Sequence, residues 1–106
     1  MLIISYATRE LADRCTKLEV AQEWLGAVKA QALIDLIADA EAMEHAKALI
    51  AFYSAQCPAG GLFSISLDSS LLVLFGPATQ TFSKTPDGKP NWAQIRRLLL
   101  NDIQEL

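Results

Sequence analysis

The segment from Ala27 to Ala48 most constrains the fold, because it contains neither glycine nor proline and is rich in alanine, leucine, glutamate and lysine. These residue types are good helix formers. Apolar side chains recur along it at helical spacing and form a single stripe, made up of Leu33, Leu36, Ile37, Ala40 and Met43. A helix of this kind is marginal alone in water and depends on packing its apolar face. The pattern therefore predicts one long helix lying across an apolar layer formed by the rest of the chain.

The residues before this helix predict a strand and two shorter helices. Leu2 to Tyr6 is a short apolar run with β-branched residues, which favours a strand. Thr8 is placed to cap a helix from Arg9 to about Lys17. A second short helix, around Val20 to Leu25, is expected to end at Gly26, a residue type common at helix C-termini.

Beyond residue 50 the apolar pattern changes from helical to strand-like. Ala51 to Ser54 is predicted as a strand, and a turn follows at 58–61. Leu62 to Leu67 alternates apolar and polar side chains, which is typical of a half-buried strand whose solvent face carries its serines, Ser64 and Ser66. After a loop at 68–70, Leu71 to Phe75 is continuously apolar, as in a central strand.

The order of these elements predicts an α+β fold. Periodicity alone leaves Trp92 to Ile103 open between strand and helix. A strand, then helices, then hairpin strands favour a largely antiparallel sheet of four to five strands with helices packed on one face. The length of 106 residues and the 52% of hydrophobic residues suit a single domain over residues 1–106. Helix residues are expected to be buried against strand residues, namely Leu33, Ile37, Ala40 and Met43 against Ile65, Val73 and Leu100.

The charge distribution separates an acidic first half from a more basic end. The formal net charge is −3, which argues against a dedicated nucleic-acid binder, because phosphate neutralisation supplies most of the affinity of such proteins. Between residues 79 and 100, however, the basic residues outnumber a single acid, Asp87. They form the candidate RNA-binding or anion-binding cluster, which consists of Lys84, Lys89, Arg96 and Arg97. Ordinary solubilising charge is the alternative interpretation, and on a strand Arg96 and Arg97 would point to opposite faces.

Other polar and aromatic residues have simpler explanations than catalysis. His45, the only histidine, is interpreted as a surface residue near the C-terminus of the long helix, where a cation is favourable. Asp35 and Asp39 could share a metal or a proton, but a solvated helix face explains them as well. Tyr53 and Trp92 are typical of core or rim anchors. No zinc, phosphate-loop or catalytic-triad spacing occurs, so no metal and no cofactor is predicted.

The cysteines and the hydropathy pattern predict a cytoplasmic protein. Cys15 and Cys57 match no metal or redox spacing and are interpreted as reduced, small, buried hydrophobic residues. The apolar start of the chain is too short for a secretion signal, and Arg9 and Glu10 follow it closely. No apolar run approaches the ~18 residues that a spanning helix requires, and no membrane association is expected.

Three stretches, taken in order, carry a family resemblance. The first is Ile3 to Leu11; the second is the hairpin Leu62 to Asp68 with Leu71 to Phe75. The third begins at Pro86-Asp87-Gly88-Lys89-Pro90 and continues through Leu98-Leu99-Leu100-Asn101-Asp102-Ile103. Over nearly the whole chain they resemble the RelE/HigB toxin superfamily, in particular its plasmid-maintenance killer-protein branch. The resemblance implies that Gln94 to Ile103 is the closing strand.

The resemblance also implies a toxin that is neutralised by a cognate antitoxin. Many members of the superfamily cut messenger RNA on the ribosome, and a related branch inhibits gyrase. The cleaving members use basic residues to hold RNA and a tyrosine or histidine near the C-terminus for proton transfer, as phosphodiester cleavage requires. Here Leu72 stands where the family often has an arginine, and Gln104-Glu105-Leu106 stands where it commonly ends in Asp-Tyr-His.

Two functional hypotheses follow from these observations. The first is the toxin component of a toxin–antitoxin system, in which ribosome-dependent cleavage of messenger RNA is weak or lost. The second is a non-catalytic protein-interaction module that retains the toxin fold. The first accounts better for the resemblance along the chain, and the second accounts better for the acidic charge and the missing arginine, tyrosine and histidine.

Overall fold

The computed structural model describes residues 1–57, 61–67, 70–79 and 82–105. The predicted turn at 58–61 and the predicted loop at 68–70 lie mostly outside the described residues, and Leu106 lies outside them as well. The helices are α1 (Arg9–Thr16), α2 (Leu18–Leu25), α3 (Ala27–Ala42) and α4 (Ala46–Tyr53). The strands are β1 (Ile3–Tyr6), β2 (Phe63–Leu67), β3 (Leu71–Pro77) and β4 (Arg97–Glu105), with a 3-10 turn at Trp92–Gln94 before the last strand.

The four strands form one mixed sheet in the order β1-β4-β3-β2. The pairs β2–β3 and β3–β4 are antiparallel, whereas β1 and β4 run parallel, with Ile3 opposite Arg97 and Tyr6 opposite Leu100. The α+β class and the strand count agree with the prediction, and the sheet is mixed because the helices carry the chain away from β1 before β4 returns beside it. The sequences of two short apolar strands do not show whether the strands pair parallel or antiparallel, so the parallel β1–β4 pair could not be predicted.

Helices cover one face of this sheet. Buried residues alternate with less buried ones along most of β3 and β4, as expected when one face of a sheet is packed and the other is open, whereas in β2 only Ser66 is exposed. The predicted helix residues Leu33, Ile37 and Ala40 are buried in the same core as three strand residues, namely Ile65, Val73 and Leu100. Met43 is half-buried at the edge of that core.

Local sequence signals account well for the first two helices. The Thr8 hydroxyl accepts from the backbone N–H of Leu11 at 3.1 Å, which caps α1 as predicted. Gly26 has a φ of 82° and is the single residue between α2 and α3. A side chain at this position would be strained, so the glycine fixes the boundary between the two helices.

The predicted single helix from Ala27 to Ala48 is wrong, because the chain breaks between α3 and α4. The Met43 carbonyl accepts from the Leu2 N–H at 2.8 Å, and the Ala46 N–H donates to the Ile95 carbonyl at 2.9 Å. Hydrogen bonds to two distant segments, one just before β1 and one just before β4, therefore replace helical ones at the break. His45 lies at the N-terminus of α4 and caps it, so its predicted place near a helix C-terminus is also wrong.

Three smaller predictions need correction. The predicted strand Ala51 to Ser54 is the last turn of α4, which ends with Ser54 in the left-handed conformation at a φ of 52°. Ser64 is buried instead of solvent-facing, because a bridge to Gln56 covers that part of β2, while Ser66 is exposed as expected. The closing strand begins at Arg97 and extends to Glu105, so the strand prediction for Gln94 to Ile103 holds only in part.

Candidate anion-binding cleft

An open cleft lies where β3 ends and β4 begins. It has a volume of about 220 Å³. Its walls come from the end of β3 and the residues after it, and from the approach to β4; they are Pro77, Thr79, Phe82, Ser83, Gln94, Ile95, Arg96 and Arg97. We call this the arginine cleft.

Backbone hydrogen bonds hold the main chain in place at both arginines of the cleft. The Ala78 N–H donates to the Arg97 carbonyl at 3.1 Å, which holds the chain after β3 against the start of β4. The Ile3 N–H donates to the Arg96 carbonyl at 2.9 Å, which extends the β1–β4 pairing by one residue. The cleft therefore rests on the sheet and not on a loop alone.

Arg96 and Arg97 both line the cleft. The prediction that they point to opposite faces applied only to two residues on one strand. Strand alternation does not separate them, because β4 begins at Arg97 and Arg96 precedes it. Both residues are exposed. No carboxylate among the described residues lies within ion-pair distance of either guanidinium group, so neither charge is neutralised by this part of the chain.

The two lysines of the predicted cluster lie on a small hairpin next to the cleft. Its two sides are joined by the Asn91 N–H to the Ser83 carbonyl at 2.9 Å and by the Thr85 N–H to the Lys89 carbonyl at 2.7 Å. Lys84 Nζ lies 5.3 Å from the ring centroid of Phe82, a residue of the cleft wall. Lys84 is thus beside the cleft.

Lys89 lies near the tip of that hairpin, and its ammonium group is paired with a carboxylate of the same hairpin. Its Nζ lies 3.9 Å from a carboxylate oxygen of Asp87. A hydrogen bond from Thr85, assisted by the charge of Lys89, lowers the pKa of the Asp87 carboxyl below its ordinary value. Of the four predicted residues, the structure therefore places Arg96 and Arg97 in the cleft wall and leaves both lysines outside it, Lys84 beside the wall at Phe82 and Lys89 at Asp87.

An aromatic cluster attaches the hairpin to the sheet. Trp92 meets Phe63 edge to face at a centroid distance of 5.0 Å, and Phe63 stacks on Phe75 at 5.3 Å. Phe63 and Phe75 are fully buried and Trp92 is half-buried, which agrees with the interpretation of Trp92 as a rim anchor. The cluster holds the chain between the hairpin and the arginines.

No residue of the cleft wall carries a group that exchanges protons near neutral pH. The Tyr53 hydroxyl donates to Asp39 Oδ2 at 2.6 Å, and burial together with this bond raises the pKa of Tyr53 far above its ordinary value. His45 Nδ1 accepts from the Ala48 N–H at 3.1 Å. Neither side chain lines the cleft. The lining is thus suited to holding an anion through guanidinium, hydroxyl and amide groups and not to transferring a proton.

The remaining candidates have structural roles. Asp35 accepts from Gln31 Nε2 at 2.8 Å, and within the described residues no group of three or more histidines, cysteines or carboxylates is arranged to hold a metal. Cys15 is buried as predicted, and burial raises the pKa of its thiol to about 12. Cys57 is exposed, which contradicts its prediction as a buried residue.

The arginines of the cleft are recognisable in the sequence, whereas its polar wall is not. Thr79, Ser83 and Gln94 come from separate segments, and serine, threonine and glutamine in a turn-rich stretch carry no specific signal. The Ala78–Arg97 and Asn91–Ser83 backbone hydrogen bonds bring these segments together beside Arg96 and Arg97.

Comparison with known proteins found no matching family model, no matching curated protein and no matching solved structure. Within the described part of the chain, the fold and the site are those of a small α+β protein with four helices, a four-stranded mixed sheet and a basic cleft at one end of that sheet. Among the described residues, no helix combines the length and the hydrophobicity needed to cross a membrane.

Proposed function

We propose that this chain is the toxin component of a RelE/HigB-like toxin–antitoxin system, that it contacts RNA phosphate through the arginine cleft, and that its cleavage activity is weak or absent. The observation that carries the proposal is the placement of Arg96 and Arg97 in one cleft without a neutralising carboxylate among the described residues. Paired guanidinium groups recognise phosphate by charge-assisted hydrogen bonds. Ser83 and Gln94 add neutral hydrogen-bonding groups to the same wall.

The chemistry of the open sheet face supports weak cleavage. Leu72, which occupies the position where the resemblance implies an arginine, pairs with Gln104 across β3 and β4. A leucine and an amide supply neither a cation for the phosphate nor an acid or base near neutral pH. General acid–base catalysis typically contributes ~10²–10⁴-fold to a rate. A protein without such groups can bind RNA through its arginines but lacks the groups that accelerate cleavage.

Conditional expression with a growth readout tests the toxin proposal. Wild-type protein should slow growth, and co-expression of a cognate antitoxin should restore it. The fourfold alanine variant at Lys84, Lys89, Arg96 and Arg97 should lose the effect. Growth inhibition that survives this variant, or a ribosome-dependent cleavage of messenger RNA at full family strength, would show that the site or the activity is misassigned.

A non-catalytic protein-interaction module is the second candidate, and exposed apolar side chains on the helical layer favour it. Phe52 is 65% exposed on α4 and Val28 is 76% exposed on α3. Large exposed apolar residues mark surfaces that partners cover when they form a patch. If alanine at Phe52 or Val28 abolishes the growth effect and alanine at Arg96 and Arg97 does not, the interaction module is the better account.

A further inference from the structure

The segment between α3 and α4 makes backbone hydrogen bonds to two parts of the chain that support the arginine cleft. From this segment, the Met43 carbonyl accepts from the Leu2 N–H at 2.8 Å and the Ala46 N–H donates to the Ile95 carbonyl at 2.9 Å. Leu2 precedes Ile3, whose N–H holds the Arg96 carbonyl, and Ile95 precedes Arg96 in the chain. Residues 43–46 thus hold Ile95, which precedes Arg96, and Leu2, which leads into β1 beside Arg96.

His45 belongs to this segment and lies at the start of α4. Its Nδ1 accepts from the Ala48 N–H at 3.1 Å and caps α4. Without an acceptor at this position, the first turn of α4 frays, because its N–H groups have no partner within the helix. The Ala46 N–H, which belongs to that first turn, is the donor that reaches Ile95.

We infer that His45 is a positioning residue for the arginine cleft, acting through the Ala46–Ile95 hydrogen bond on the backbone that carries Arg96. The inference rests on the proposed anion-binding role of that cleft. His45 is not among the residues of the cleft wall; it keeps the cleft in a binding-competent form. Loss of the cap lowers the competent fraction, and the apparent affinity falls with that fraction.

Two substitutions at His45 separate positioning from general stability. His45→Ala removes the acceptor, and His45→Asn replaces it with an amide oxygen, which is among the best N-cap groups. Thr8→Ala is the matched control, because Thr8 caps α1 with the same 3.1 Å geometry and α1 makes no hydrogen bond to the residues of the cleft wall. Both alanine variants should lose stability by similar amounts.

Binding of a fluorescein-labelled oligouridylate, followed by anisotropy, gives the first readout. His45→Ala should weaken binding measurably and by at most about fivefold, which is the full effect of one lost cap on the competent fraction. His45→Asn should restore wild-type affinity, and Thr8→Ala should retain it. Equal weakening in both alanine variants, or failure of His45→Asn to restore affinity, would overturn the inference.

Amide hydrogen exchange gives a second readout that needs no ligand. The Ala46 amide should exchange about fivefold faster in His45→Ala than in the wild type, and at the wild-type rate in Thr8→Ala. If no form of the protein binds the oligouridylate, the proposed function fails, and exchange at Ala46 alone decides the positioning role. Unchanged exchange in His45→Ala would then refute that role too.

Discussion

Replacing Phe63 by leucine should destabilise the fold substantially, because Phe63 joins the hairpin to the core. It is fully buried, stacks on Phe75 at 5.3 Å and meets Trp92 edge to face at 5.0 Å. Each aromatic pair contributes ~0.5–1.5 kcal/mol beyond buried area, and the smaller side chain leaves a partial cavity costing ~1 kcal/mol. The free energy of unfolding should therefore fall by about 2–4 kcal/mol.

Urea unfolding followed by far-UV circular dichroism measures this loss without depending on Trp92 fluorescence. With an m-value near ~2 kcal/mol/M, the midpoint should fall by about 1–2 M. Phe52→Leu is the matched control, since Phe52 also has an aromatic neighbour, Tyr53 at 5.2 Å, but is 65% exposed. Its midpoint should stay within ~0.3 M of the wild type. A Phe63→Leu midpoint as close to the wild type as that of Phe52→Leu would refute the reasoning.

Three further predictions concern single polar groups. Tyr53→Phe deletes the hydroxyl that donates to Asp39 at 2.6 Å and should lower the free energy of unfolding by ~1–2 kcal/mol in urea titrations; an unchanged value contradicts the bond. Ellman's reagent should label the exposed Cys57 rapidly and the buried Cys15 only after unfolding, so two fast equivalents would contradict the burial. Because burial raises the pKa of Cys15 from 9.0 to about 12, the unfolded thiol loses its proton first and stability should fall as pH rises from 9 to 12. The slope is at most ~1.4 kcal/mol per pH unit, and a wild-type slope equal to that of Cys15→Ala would refute the contribution.

Local signals predicted the elements whose stability is local. The cap at Thr8 and the helix junction at Gly26 depend on the side chain and backbone of one residue. The alternation in β2 and the apolar run of β3 likewise predicted two strands that the structure contains. In these places the sequence and the tertiary structure favour the same conformation.

The failures occur where distant contacts decide the conformation. Glu44 and His45 do not forbid a helix, and the break is stabilised by bonds to Leu2 and Ile95, which are remote in sequence. The aromatic pair Phe52 and Tyr53 favours a strand by propensity, yet it ends a helix. The periodicity of apolar residues within one segment carries no information about such long-range hydrogen bonds.

The candidate site shows the same division. A run of basic residues near the C-terminal strand was visible in the sequence and identified Arg96 and Arg97. Their presence in one cleft was not predictable, because the cleft forms where β4 begins at Arg97 and where Ala78 bonds to that residue's carbonyl. A one-residue shift in the strand boundary is enough to place both arginines in one cleft.

Salt-dependent binding of single-stranded RNA tests the central claim, that the arginine cleft holds phosphate, most directly. Oligouridylate affinity should be measured over a range of salt concentrations for the wild type, for Arg96→Ala/Arg97→Ala and for Arg9→Ala/Lys47→Ala. The last pair changes net charge equally at exposed helix positions. The cleft variant should bind at least about tenfold more weakly and lose ~1.4 from the slope of log affinity against log salt, ~0.7 for each phosphate contact. Equal effects of the two double variants would contradict the claim, because the binding would then follow net charge and not the cleft.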